Sequence, residues 1–124
     1  MSQTVCEIYK LLNKRKLISF EITKESFAKV DSLVHNINSE YFGKEIYSNN
    51  EEKSVAYLYF LIKNHPFTDG NKRTAVLCFE VLCQLNGLQP KYDGYTLDEL
   101  AVYIERQQTK DHQDLIKRLS KITF

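Results

Sequence analysis

His65-Pro66-Phe67-Thr68-Asp69-Gly70-Asn71-Lys72-Arg73 runs without a break into Thr74-Ala75-Val76-Leu77-Cys78-Phe79-Glu80-Val81-Leu82-Cys83-Gln84-Leu85, and this junction decides the fold. The second half is apolar nearly all round at helical spacing. A helix with apolar residues on every side belongs in the centre of a protein. It starts near Lys72, and Asn86-Gly87 closes it, because glycine is preferred just past a helix C-terminus. Pro66 biases His65 away from helical dihedrals, so the preceding helix must end there and the chain must turn through residues 67–71.

Working outward, Val55, Leu58, Tyr59 and Ile62 repeat at three and four residues, with Asn49 or Asn50 placed to cap that helix. The segment Tyr41-Phe42-Gly43-Lys44-Glu45-Ile46-Tyr47 has no helical period, and its glycine-interrupted aromatics suit a short extended stretch or hairpin. Nearer the N-terminus, Thr23 caps a helix whose stripe is Phe27, Val30, Leu33, Val34 and Ile37. Another helix spans Val5 to Leu17, with Val5, Ile8, Tyr9, Leu11 and Leu12 on one side. After the polar connection Pro90 to Tyr95, Thr96-Leu97-Asp98-Glu99 forms a capping box for a helix reaching about Gln107. Asp111 caps a last one containing Leu115, Ile116 and Leu119. Alternating strands, repeats and low-complexity linkers are absent. The expectation is one all-α domain over residues 1–124, a bundle around the helix that follows residue 71.

A chain of 124 residues is about one domain, and one that size removes roughly two thirds of its surface on folding. Seventeen basic and sixteen acidic residues leave a net charge of +1, which argues against nucleic acid or an anionic membrane as partner. Cys6, Cys78 and Cys83 are odd in number and lack CxxC spacing. They read as small apolar residues in a reducing compartment. No apolar run reaches membrane-spanning length and no signal segment is visible, so a cytoplasmic location is expected.

The loop concentrates a histidine, a carboxylate, a glycine, an amide and two cations at one helix mouth. Helix N-termini present unpaired N–H groups and partial positive charge, and so bind anions. Gly70 permits a turn and a close ligand approach. Lys72 and Arg73 stand in the first turn, where the helix dipole disfavours cations, which makes sense if an anion is expected there. Asp69 is a hard oxygen ligand suited to magnesium beside a phosphate. His65 is the candidate general base, histidine being the side-chain type suited to proton transfer under physiological conditions. Taken singly these are ordinary turn and surface residues; Phe67 is a core anchor in any reading. A Walker A loop is excluded by spacing and by the lack of a preceding strand. The residues alone reach a phosphate and metal site with a histidine base.

His65 to Ala75 closely resembles the signature loop of the Fic/Doc (Fido) superfamily: histidine, proline, phenylalanine, any residue, an acid, glycine, asparagine, glycine or lysine, then arginine. The resemblance extends over the preceding helix, residues 41–47 and the following helix, about half the chain. It implies that His65 deprotonates a hydroxyl of a target protein and that Asp69 holds Mg²⁺ on the phosphates of ATP or another nucleoside triphosphate. It further implies an anion cradle formed by Phe67, Gly70, Asn71 and Lys72, with Arg73 paired to a phosphate. Tyr41, Phe42, Gly43, Lys44, Glu45, Ile46 and Tyr47 would form a flap that clamps the target by strand addition. An ordinary inter-helix loop is the alternative reading of those seven residues.

Family members that transfer AMP carry glycine after the asparagine and a second arginine three residues after the first. Lys72 and Val76 stand at those places and match the death-on-curing (Doc) branch instead. That branch is associated with transfer of the gamma phosphate of ATP to a Ser or Thr hydroxyl, which is the expected activity. Gly70 complicates the assignment, because the Doc loop can carry alanine there. The inhibitory pattern of many Fic proteins is approached by Ser48 to Glu52 but broken at Lys53, so restraint of a toxin would fall to a separate antitoxin. AMP transfer by the same histidine and a catalytically idle protein-binding module are the competing functions. A DNA-binding helical domain is disfavoured by the near-neutral charge.

Overall fold

The computed structural model describes residues 1–124. Six helices and one small hairpin follow in order: α1 (Ser2–Lys14), α2 (Lys24–Ile37), β1 (Glu40–Tyr41), β2 (Lys44–Glu45), α3 (Asn50–Lys63), α4 (Asn71–Leu85), α5 (Leu97–Arg106) and α6 (His112–Thr123). The fold is all-α apart from the hairpin. No helix is long and apolar enough to cross a membrane.

Local capping chemistry sets most of the starts. The side chains of Thr23, Asn49, Thr96 and Asp111 each accept a backbone N–H of the first turn of their helix, and Thr96 with Glu99 completes the capping box. The end of α1 differs from the expectation of Leu17. Lys16 adopts φ +62°, and the N–H groups of Lys16 and Leu17 turn back to the carbonyls of Asn13 and Leu12. This is the closure that glycine usually provides, made here by a lysine, so no glycine marks it. It places Leu17 outside the helix, and Ile18 turns into the core.

The core is one contiguous cluster, and α3 is its most enclosed element: Ser54 to Tyr59, Leu61 and Ile62 are all buried. α3 packs against α2, α4, α5 and α6. α4 lies along it, burying Ala75, Cys78, Phe79, Leu82 and Cys83, with Leu85 exposed. The innermost position therefore belongs to the helix before the loop, with the one after it alongside. Tyrosines obscured this in α3, because their hydroxyls suggest a wet edge. Inside the fold the Tyr57 hydroxyl accepts from Asn38 at 3.0 Å and Tyr59 meets His112 Nδ1 at 2.5 Å. Paired hydroxyls let aromatic rings go under.

Phe27, expected in the α2 stripe, is exposed; the buried face is Ser26, Val30, Leu33 and Ile37. The three thiols are buried and free, and burial pushes Cys78 up to about 12 and Cys83 to about 11. They stay neutral and behave as small apolar side chains.

Candidate active site

The loop between α3 and α4 is held from below and across. Pro66 and Phe67 are buried, and the Phe67 ring stacks on Tyr9 of α1 with centroids 4.1 Å apart. Tyr9 is fixed in turn, its hydroxyl donating to the Phe20 carbonyl at 2.6 Å. Asn71 closes the loop: its Oδ1 accepts from the Phe67 N–H at 2.9 Å and its Nδ2 donates to the Phe67 carbonyl at 3.0 Å. What lies between these anchors, Thr68 and Asp69, is lifted into solvent. His65 takes φ +46°, a region L-residues seldom occupy, which turns the chain sharply out of α3.

Gly70 is required twice. Its φ is +75°, and a Cβ there would lie 2.3 Å from Cδ1 of the buried Ile18. The tight approach leaves Gly70 as the N-cap of α4 with no side chain over the helix end and no acid in the first turn. The first N–H groups of α4 therefore lack a capping side chain, the arrangement that attracts anions.

Around this end lies a cleft of about 460 Å³. His65, Asp69, Gly70, Asn71, Lys72 and Arg73 all line it. Phe67 does not: its ring is an anchor beneath the loop. Leu17, Ile62, Thr68 and Glu105 complete the wall. Arg73 Nη1 donates to the Leu17 carbonyl at 2.9 Å, and Lys72 Nζ lies 3.6 Å from Glu105. Burial, and behind it the charge of Asp69, pushes the Tyr9 phenol up.

Residues 41–47 form a separate feature, none of it lining the cleft. β1 and β2 pair antiparallel, Glu40 opposite Glu45 and Tyr41 opposite Lys44. Phe42 and Gly43, at φ +52° and +77°, make the two-residue turn. Phe42 is 90% exposed, with its ring edge-on to Tyr41 at 4.4 Å. Glu45 is tied to Lys53 of α3 at 2.9 Å. Ile46 is half-buried, and Tyr47 is inside the core beside Phe60, its phenol raised to about 12 mainly by burial.

Residues 2–83, from α1 into the buried stretch of α4, match the profile described as Fic/DOC family. The chain belongs to the Fic/DOC family. It is also 28% identical over 91 residues to a protein named Toxin Doc from Mycolicibacterium smegmatis, an alignment covering 73% of this chain and 69% of that one. No solved structure matches.

The Fic/DOC match begins with α1, which supplies Tyr9 beneath the loop and, just past its end, Leu17 and Ile18. These contacts join positions some fifty residues apart, which no local spacing reveals. Glu105 comes from α5, beyond the matched region. The chemistry of the donors also limits a metal. No three His, Cys, Asp or Glu side chains gather into a cage; Asp69 is an exposed carboxylate at an anion-attracting helix end, and the cleft's other carboxylate, Glu105, lies against Lys72. That set does not suit zinc. It fits magnesium, which commonly takes one or two protein carboxylates and fills its other positions with phosphate oxygens and water.

Proposed function

We propose that this Fic/DOC protein is a Doc-type toxin that transfers the gamma phosphate of ATP to a Ser or Thr hydroxyl of a target protein. One observation carries the reading: Lys72 and Arg73 line the same cleft as His65, at the bare N-terminus of α4. Two cations and the N–H groups of a helix end suit a terminal phosphoryl group whose charge must be stabilised during transfer. Val76 does not line that cleft, and its apolar side chain offers no clamp for a second phosphate. The glycine at position 70, which would otherwise favour the AMP-transferring branch, is accounted for by its packing on Ile18.

In this reading His65 accepts the proton of the target hydroxyl as its oxygen bonds to the gamma phosphorus and the bond from that phosphorus to the bridging oxygen breaks, releasing ADP. The N–H groups of α4, Lys72 and Arg73 hold the phosphoryl oxygens. Asn71 and Phe67 keep the loop in place and do not touch the reacting atoms. Asp69 would hold Mg²⁺, which would supply charge neutralisation to the phosphates. The target lies along the hairpin flap, whose free strand edge adds to an extended segment.

The test is intact-mass analysis of extract proteins incubated with the chain, ATP and Mg²⁺. His65→Asn is the control, because asparagine tolerates positive φ and cannot serve as the base. A His65-dependent gain of one phosphate is expected. A gain of one AMP would transfer the protein to the other branch, and labelling by His65→Asn would overturn the role of His65. The name of the Mycolicibacterium relative further supports a separate antitoxin. Growth arrest on expression should be relieved by co-expressing that partner, and arrest unchanged by every neighbouring gene product would refute it.

A further inference from the structure

Glu105 stands in the cleft although it lies more than thirty residues beyond the loop. Its backbone is pinned there. Lys63 Nζ, at the end of α3, donates to the Glu105 carbonyl at 3.2 Å and to the Gln107 carbonyl. A lysine at the carbonyl end of α5 is a favourable helix-dipole contact. It fixes the last turn of α5 to the residue two before His65. From that position the Glu105 carboxylate reaches 3.6 Å from Lys72 Nζ, the one ion pair either side chain makes. Arg73, the other cation of the cleft, faces a neutral carbonyl, that of Leu17.

The sign is the puzzle. A carboxylate at a helix end prepared for anions repels the ligand that end attracts. The pair is also open, the two side chains being 44% and 46% exposed, and exposed pairs hold weakly. It places Glu105 against Lys72 and leaves the contact open to exchange.

We propose that Glu105 is a resident counter-anion that holds Lys72 until a ligand phosphate displaces it, lowering the affinity of the cleft for phosphates. This rests on the phosphate-binding reading of the cleft. Glu105 acts through Lys72 and is a positioning residue. It therefore sets how tightly polyphosphate is held without taking part in the chemical step.

Calorimetric titration with inorganic triphosphate tests it on the full chain, with Glu105→Gln, Lys72→Ala and the double variant alongside. Glutamine keeps size and removes charge. Glu105→Gln should tighten binding by about fivefold at low salt, with the difference shrinking as ionic strength rises. Most of that gain should vanish in the Lys72→Ala background, which a purely structural effect of the substitution would not do. Unchanged or weaker binding by Glu105→Gln, with the wild type binding normally, would overturn the proposal; the weaker result would make Glu105 a ligand-holding group. If neither wild type nor Glu105→Gln binds triphosphate, the phosphate reading itself falls and takes this inference with it.

Discussion

The loop of residues 65–73 and the flap of residues 40–47 both force the backbone to positive φ, yet they meet that demand in opposite ways. In the loop the strain is over-determined. Gly70 carries φ +75° without a side chain to object, and Ile18 fills the place where one would be. His65, at φ +46°, is followed by two buried residues that hold its turn. In the flap, Phe42 takes φ +52° with only the edge-on contact of its ring with Tyr41 to offset it. A bulky residue there costs about 1–2 kcal/mol. Asparagine before glycine would make the same turn without that cost. The loop thus uses packing to fix a geometry, while the flap accepts strain to display a ring. Chemistry asks for the first, because reacting groups must be held in place before the ligand arrives. On the proposed function, recognition of a target chain would be served by the second.

The largest expected effect comes from breaking the loop's side of this comparison. Gly70→Ala adds a methyl at 2.3 Å from Ile18 Cδ1 and imposes left-handed backbone on a residue with a Cβ. Backbone strain and overpacking together should cost about 2–4 kcal/mol in urea unfolding. Ile18→Ala in the same chain should return part of that, since the methyl then has room. The two substitutions should be non-additive, as neighbours are. A Gly70→Ala protein of unchanged stability would show that the loop is as loosely held as the flap, and the contrast would dissolve.

How legible these two regions were differs for a physical reason. Caps are local chemistry, so Thr23, Thr96 and Asp111 could be read directly and the cap of α3 narrowed to Asn49 or Asn50, of which Asn49 serves; the cation-rich helix mouth announced itself in nine consecutive residues. The flap was readable as a break in helical period, with its glycine at the turn. What supports the loop was not readable. Tyr9 under Phe67, Ile18 behind Gly70, Leu17 on Arg73 and Glu105 on Lys72 are contacts between distant stretches that exist only once the helices pack. Asn71 is a case between: the resemblance implies a place in an anion cradle, whereas in the structure both ends of its amide are engaged by the backbone of Phe67. Tyr47 likewise closes the flap segment from inside the core, where burial holds its phenol neutral.

The smallest effect on stability, and the sharpest test of the contrast, belongs to Phe42. Phe42→Asn removes a ring that is 90% exposed and supplies the dipeptide that this turn prefers. Stability should stay within about 0.5 kcal/mol of the wild type or rise slightly. If the ring is displayed in order to bury itself against a target segment, its loss should lower kcat/KM for the protein substrate by about tenfold. Binding of ATP, measured separately, should not change, since no flap residue lines the cleft. Unchanged kcat/KM would leave Phe42 a strained residue without a function and the flap an ordinary connection between α2 and α3. A fall in both stability and ATP affinity would show instead that the flap and the loop are one mechanical unit, joined through Glu45 and Lys53 to α3 and through α3 to His65.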